Sequence, residues 1–234
     1  MTSETEGSRE GEAGLSWSLT LPERRAASLG ARRTRGLLSI HSAQGEEAIP
    51  LPASAARSLE RSLADRSTPP SSRAELLYVL SQVEGACARH RVESLLERRD
   101  YSSHEMEGKL RDDGYPGRLS SELVARYVAG GLIDDRRYAD VFARSKVSAG
   151  WGRRRIELEL GRRGIQVDEL PGWPYDYLDP EDEDARAFDL ASRRSFRGRD
   201  PYAQCVRFLM GRGFSGSVAV AVARRVRDGD EEGL

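Results

Sequence analysis

The segment from Leu132 to Ile165 carries the clearest helical pattern in the chain and reads LIDDRRYADVFARSKVSAGWGRRRIELELGRRGI. Asp134 or Asp135 is a suitable N-cap, because an aspartate carboxylate accepts hydrogen bonds from the free N–H groups of a first helical turn. Residues at helical spacing then predict one buried face, made by Tyr138, Val141, Phe142 and Ser145. Gly150 and Gly152 break this pattern, so the first helix should end before them.

A second and shorter helix is predicted from Arg153 to Arg163. It would bury Ile156 and Leu160, which are one helical turn apart. Gly164 would end it, because glycine readily adopts the left-handed backbone conformation that closes many helices.

Basic residues crowd this pair of helices. Between Arg144 and Arg163 there are seven basic and two acidic residues, a net charge of +5 in a chain whose total is −1. A charge run is usually a solvated helix face, but an excess of this size attracts polyanions or acidic protein surfaces. The basic positions are Arg144, Lys146, Arg153, Arg154, Arg155, Arg162 and Arg163.

The short helix recurs twice at offsets of 50 and 49 residues. Residues 102–115, 152–165 and 201–214 share a pattern of an apolar residue, a leucine four positions later, a glycine four positions after that and an adjoining apolar residue. A recurring pattern of this kind indicates structural repeats. The aligned positions are Met106, Ile156 and Cys205; Leu110, Leu160 and Leu209; Gly114, Gly164 and Gly213; and Tyr115, Ile165 and Phe214.

These observations predict an all-α fold of three tandem three-helix repeats in an elongated, curved array, with a small β-containing N-terminal extension. The predicted helices are 73–99, 103–113 and 120–129 in repeat 1, 135–148 and 153–163 in repeat 2, and 181–195, 201–212 and 215–227 in repeat 3. Two prolines in 168–174 make a third helix of repeat 2 doubtful. The predicted boundaries are a disordered leader at 1–14, the extension at 15–70, the repeats at 71–131, 132–178 and 179–229, and a tail at 230–234.

Alternation of apolar and polar residues predicts a half-buried strand at 15–21. Residues 37–40 and 48–51 are further short strand candidates, and 54–64 reads as a helix. Ser72 followed by Glu75 predicts a capping box at the start of the first repeat. A loosely ordered extension is the alternative for the whole N-terminal region.

Composition and motifs point away from an enzyme. Cys87 and Cys205 have no metal-ligand spacing, no apolar run is long enough to span a membrane, and the N-terminus lacks the features of a signal peptide, so we expect a cytoplasmic protein. His41, His90 and His104 stand alone in the sequence. The Gly150-x-Gly152 pair lacks the third glycine and the preceding strand of a dinucleotide loop. No cofactor or metal site is predicted, and helix capping explains Asp134 and Asp135.

The segment from Gly131 to Ile165 resembles the RecX family, bacterial regulators of the recombinase RecA. Gly131–Ala139 matches the family pattern G-[YL]-[LI]-[DN]-D-x-R-[FY]-A, and Gly152–Ile165 matches G-x-x-R-I-x-x-E-L-x-x-[KR]-G-I. A weaker resemblance extends over 73–228. It implies tandem three-helix repeats, no catalytic activity and no cofactor. It also implies binding along the RecA–DNA filament and modulation, usually inhibition, of ATP hydrolysis and strand exchange in DNA repair, homologous recombination and the SOS response.

We therefore expect a monomeric regulator of RecA whose basic surface meets the recombinase, single- or double-stranded DNA, or both. Neighbouring Arg154 and Arg155 should be removable with little loss of packing. Two alternatives stay open: a non-sequence-specific nucleic-acid-binding protein that acts without RecA, and a structural adaptor for another protein. A second basic group could add a contact one repeat along; it comprises Arg193, Arg194, Arg197 and Arg199.

Overall fold

The computed structural model describes residues 4–8, 16–22, 35–42, 45–179, 182–197 and 199–232. Contacts divide the chain into two compact units, Met1–Ile133 and Asp134–Leu234. Strands occur in the first unit and helices in both, so the predicted all-α fold with a β-containing N-terminal extension is confirmed. No helix in the described ranges is long and apolar enough to cross a membrane.

The N-terminal extension is a four-stranded antiparallel sheet, in chain order, covered by one helix. Trp17 pairs with Ile40 and Leu19 with Leu38, and all four side chains are buried against the helix. Pro50 is tolerated because its strand is at the edge of the sheet. The elements are β1 (Glu4–Ser8), β2 (Ser16–Thr20), β3 (Gly36–Ser42), β4 (Gly45–Leu51) and α1 (Ala53–Ala64).

The prediction of a disordered leader is wrong for residues 4–8. This segment pairs with β2 over its whole length, from Glu4 opposite Thr20 to Ser8 opposite Ser16. Backbone groups make the pairing, so an acidic and glycine-containing sequence can serve as an edge strand. The rest of the predicted leader lies outside the described residues.

Three helices complete the first unit: α2 (Arg73–Leu96), α3 (Ser103–Asp113) and α4 (Gly117–Ala129). The Oγ of Ser72 accepts from the Glu75 N–H at 3.2 Å, which confirms one half of the predicted capping box. The Glu75 carboxylate accepts from the Ser71 N–H at 2.9 Å, one residue before the N-cap. The helix predicted from Ser120 begins three residues earlier, after Pro116. Ser120 lies inside the helix instead, and its hydroxyl donates to the Pro116 carbonyl oxygen. A proline with its fixed φ suits a helix start, which explains the earlier boundary.

The second unit contains α5 (Asp135–Ser148), α6 (Arg153–Gly161), α7 (Glu183–Ser192), α8 (Pro201–Arg212) and α9 (Gly216–Glu232). Where a third helix of repeat 2 was in doubt, the structure has a 3-10 turn at Val167–Glu169 followed by further turns. We call Leu170–Leu178 the aromatic turn segment. Leu170, Pro174 and Leu178 are buried, so this segment supplies apolar contacts that a third helix would otherwise make.

The three short helices end alike, as the repeat pattern predicts. Gly114, Gly164 and Gly213 all have positive φ, at 100°, 74° and 94°. In each case the next N–H returns to the carbonyl oxygen of the repeat leucine: Tyr115 to Leu110 at 3.0 Å, Ile165 to Leu160 at 3.1 Å and Phe214 to Leu209 at 3.2 Å. These bonds satisfy carbonyl groups that a helix end leaves free.

The predicted buried face of α5 is confirmed at Tyr138 and Phe142, which pack against the core, and wrong at Val141 and Ser145, which are exposed. Ala139 and Ala143 are buried, Tyr138 and Phe142 are half-buried beside them, and Val141 is 58% exposed. Small side chains let the helix backbone approach its neighbours closely, so the buried stripe follows the alanines and not the larger apolar residues.

Candidate partner-binding surface

The seven basic residues between Arg144 and Arg163 lie on α5, on α6 and in the turn after it. Arg144, Arg153, Arg154 and Arg162 are exposed, while Lys146, Arg155 and Arg163 are half-buried. Since α5 and α6 contact each other, the structure brings these positions onto one helix pair. We call this set the α5–α6 basic surface.

Four of these arginines form ion pairs with carboxylates of the same two helices. Arg144 pairs with Asp140 at 3.1 Å and Arg153 with Glu157 at 2.7 Å. Arg162 and Arg163 share Glu159, at 2.7 and 2.6 Å, and the hydrogen bond from Arg163 is the main cause of the lowered pKa of Glu159. Because ion pairing neutralises much of their charge, the effective positive charge is smaller than the sequence count suggests.

Three cations without an ion pair among the described residues, Lys146, Arg154 and Arg155, differ from the other four members of the surface. In the part of the chain that the structure describes, neither Lys146 nor Arg154 has a carboxylate within ion-pairing distance. Lys146 nevertheless lies over the rings of Phe142 and Trp151, at 5.2 and 5.1 Å from their centroids. Arg154 is the more exposed of the two and has its full charge available to a partner.

Arg155 is part of the packing, contrary to the expectation that it could be removed with little loss. Its guanidinium lies 3.9 Å from the centroid of the Trp151 ring, and its Nη1 donates to the Gly211 carbonyl oxygen at 3.0 Å. Helix α6 begins directly against the end of α8, which places this side chain between the two helices. The sequence could not show this contact, because the two positions are 56 residues apart.

We predict that Arg155→Ala lowers the free energy of unfolding by about 1–2 kcal/mol, because it removes a stacked cation and a hydrogen bond. Arg154→Ala is the matched control from the same helical turn and should change that free energy by less than about 0.5 kcal/mol. Urea unfolding followed by tryptophan fluorescence measures both. Equal unfolding midpoints for the two variants would show that Arg155 carries no packing role.

The aromatic turn segment positions two of the carboxylates. The Tyr177 hydroxyl donates to Asp140 Oδ1 at 2.6 Å, and Trp173 Nε1 donates to Glu157 Oε1 at 3.1 Å. The bond from Tyr177 is the largest cause of the lowered pKa of Asp140, and Arg144 adds to it. Asp140 and Glu157 are therefore each held between an aromatic donor and an arginine. Sequence reasoning treated this segment only as a helix-breaking stretch and missed these residues.

The second basic group follows the end of α7. Arg193 pairs with Asp189 at 2.6 Å, Arg194 lies over the Phe208 ring at 4.8 Å, and Arg197 donates to Ser195 Oγ at 3.0 Å. All three arginines and Arg199 are exposed. The structure places this group in the same compact unit as the α5–α6 basic surface.

Metal and histidine chemistry finds no support in the described ranges. No group of histidine, cysteine and acidic side chains there could hold a metal ion. Asp134 caps α5, its Oδ1 accepting from the Arg137 N–H at 2.9 Å, which accounts for one member of the acidic pair. His41, His90 and His104 are exposed.

Comparison with known proteins identifies the family. The family model for RecX, second three-helix domain, matches residues 134–168. Regulatory protein RecX of Pseudomonas entomophila is 34% identical over 126 residues, which are 52% of this chain and 79% of that protein. The homologue from Chromohalobacter salexigens is 37% identical over 51% of this chain and 80% of its own length.

A solved structure supports the fold. The crystal structure of a regulatory protein RecX aligns with a TM-score of 0.52 at 16% identity and covers 87% of this chain and 97% of that one. The matches to both relatives, over 126 and 122 residues, are much longer than the α5–α6 region in which the sequence resemblance is strongest. The chain belongs to the RecX family of regulatory proteins.

Proposed function

We propose that this protein regulates the RecA recombinase, in the first instance as an inhibitor that binds the RecA–DNA filament and slows ATP hydrolysis and strand exchange. Membership of a family of regulatory proteins carries this proposal. The α5–α6 basic surface supports it, because a cationic surface suits the binding of an acidic protein or a nucleic acid. On this proposal the protein acts in the bacterial cytoplasm, in DNA repair and recombination.

Arg154 should contribute most of the binding energy of this surface. An arginine that already has a carboxylate must exchange one ion pair for another when it meets a partner, so its net gain is small. Arg154 has no such pair to give up, and its side chain is exposed. The neighbouring ion pairs and stacked rings hold the surrounding surface in place.

The second basic group could bind the same filament at another point. Weak individual contacts then suffice, since linked sites raise the effective concentration of one another. This arrangement would favour a repeating partner such as a filament over a single globular protein.

We predict that Arg154→Glu raises the concentration needed for half-maximal inhibition of RecA about tenfold, because reversing one interface charge costs about 1–3 kcal/mol. The measurement is the ATPase rate of the cognate recombinase on single-stranded DNA, titrated with each protein. Arg57→Glu is the matched control, because it makes the same charge change at an exposed position on α1.

Two results would contradict the proposal. If the wild-type protein binds bare single-stranded DNA but leaves the ATPase rate unchanged, the alternative of a general nucleic-acid-binding protein takes its place. Binding of that kind would weaken steeply with salt and be indifferent to base sequence. If Arg154→Glu and Arg57→Glu raise the half-maximal concentration equally, net charge and not the α5–α6 basic surface would be responsible.

A further inference from the structure

A groove of about 440 Å³ runs between α5 and the aromatic turn segment. Helix α5 lines one side of it with Asp134, Arg136, Arg137, Asp140 and Arg144. Leu170, Pro171 and Tyr177 line the other side. Apart from Arg144, none of these residues belongs to the α5–α6 basic surface, so the groove is a separate feature of the second unit.

The groove has a small positive excess, a net charge of +1 from three arginines and two aspartates. Asp134 is engaged in capping α5, and Asp140 is held by Arg144 and by the Tyr177 hydroxyl. Arg136 and Arg137 are exposed, and no carboxylate among the described residues lies within ion-pairing distance of either. The guanidinium groups of these two successive residues are thus available for an anionic ligand, and their planar shape suits paired hydrogen bonds to carboxylates.

The other side of the groove restricts what that ligand is. Leu170 and Pro171 form an apolar wall that suits an aliphatic side chain. The Tyr177 ring is covered by the Arg144 guanidinium at 4.7 Å, so it offers a nucleic-acid base little stacking surface. Asp134 and Asp140 offer carboxylate oxygens to the backbone N–H groups of a peptide, whereas a phosphodiester backbone has no such donors.

We propose that this groove binds a short acidic peptide segment of a partner protein. Carboxylates of the segment pair with Arg136 and Arg137, and an aliphatic side chain packs against Leu170 and Pro171. Asp140, fixed by Tyr177 and Arg144, keeps the base of the groove in shape. The proposal does not depend on which protein supplies the segment, so it stands or falls separately from the regulation of RecA.

The test is fluorescence anisotropy at low salt with a fluorescein-labelled peptide of alternating glutamate and leucine. The wild-type chain should bind this peptide, and Arg136→Ala/Arg137→Ala should weaken the binding at least about tenfold, as expected for two lost charge-assisted contacts. Neither guanidinium makes a hydrogen bond, an ion pair or a ring contact among the described residues, so this variant should unfold at the wild-type temperature. A peptide with glutamine in place of glutamate should bind the wild-type chain at least as weakly as the glutamate peptide binds the double variant.

The matched control is Arg57→Ala/Arg98→Ala, which removes two exposed arginines from the other unit and should bind the peptide as the wild type does. A labelled oligothymidine serves as the competing ligand class. The proposal is overturned if the wild type does not bind the glutamate peptide, or if both double variants lose the same affinity. An equal or greater loss toward oligothymidine than toward the peptide would identify the groove as a nucleic-acid surface and overturn it as well.

Discussion

Gly213→Ala should lower the free energy of unfolding of the Asp134–Leu234 unit by about 2–5 kcal/mol, because it combines overpacking with left-handed backbone strain. A Cβ at this position would lie 2.4 Å from the Arg155 Cβ and 2.5 Å from the Arg155 backbone nitrogen. The φ angle of Gly213 is +94°, a conformation that residues with a side chain rarely adopt. One substitution therefore introduces a clash with backbone atoms and a strained dihedral angle.

The surrounding contacts prevent cheap relief of this clash. The Gly152 N–H donates to the Arg212 carbonyl oxygen at 2.8 Å, and the Arg154 N–H donates to the Gly213 carbonyl oxygen at 3.3 Å. The free N–H groups at the start of α6 and the free carbonyl groups at the end of α8 thus satisfy one another. Moving the helices apart to make room for a Cβ would break these bonds. The variant therefore either keeps the steric strain or loses the hydrogen bonds.

Urea unfolding followed by tryptophan fluorescence measures this effect, since Trp151 and Trp173 both belong to the affected unit. Gly211→Ala is the control from the same helix. A Cβ there meets no atom within 4 Å, so that variant should gain up to about 1 kcal/mol from improved helix propensity. An unchanged unfolding midpoint for Gly213→Ala would mean that the contact between α6 and α8 is loose.

The parts of the fold that depend on interactions between neighbouring residues could be predicted from the sequence. The three repeat glycines all adopt positive φ, because the end of a helix is set by a few neighbouring residues. The contact between Gly152 and Gly213 was not readable, since it joins two helix ends far apart in the chain. The buried face of α5 was predicted only in part for a related reason: Ala139 and Ala143 are buried by close packing that only the partner helix makes evident.

At the candidate site, too, local contacts could be predicted from the sequence and contacts between distant residues could not. The pairing of Arg144 with Asp140 follows from the spacing of four residues and was available to sequence reasoning. The hydrogen bond from Tyr177 to Asp140 joins residues 37 positions apart and could not be predicted from the sequence. Arg154 and Arg155 look alike in sequence, yet tertiary contacts make one an exposed cation and the other a packed side chain.

Glu84→Gln should raise the free energy of unfolding of the Met1–Ile133 unit by about 2 kcal/mol near pH 8, because it removes a buried charge. Glu84 lies on α2 and is only 8% exposed. Burial raises the pKa of its carboxyl group to about 7. The nearby Arg91 is paired with Asp113 at 2.6 Å, and the nearby Tyr115 hydroxyl is bonded to Ser54, so no strong counter-charge offsets this burial.

The pH dependence gives the prediction its sign. In the unfolded chain this carboxyl group titrates near 4.5, and in the folded protein near 7. Between these values the folded state holds a proton that the unfolded state has released, so the wild type loses stability as pH rises through this interval. Below pH 4.5 the group is protonated in both states, and the advantage of the glutamine variant disappears.

Urea unfolding followed by Trp17 fluorescence, with Trp151 and Trp173 replaced by phenylalanine in all variants, tests this expectation at several pH values from about 4.5 to 8. Trp17 packs in the same hydrophobic cluster as Leu80, one turn from Glu84 on α2, so its emission reports on the affected unit. Glu97→Gln removes the same charge from an exposed position directly after this helix and is the matched control. If Glu84→Gln behaves like this control, the carboxylate is hydrated in the folded protein. If its advantage grows with pH as expected, the RecX fold here tolerates a destabilising charge at the junction between its N-terminal sheet and its first helical repeat.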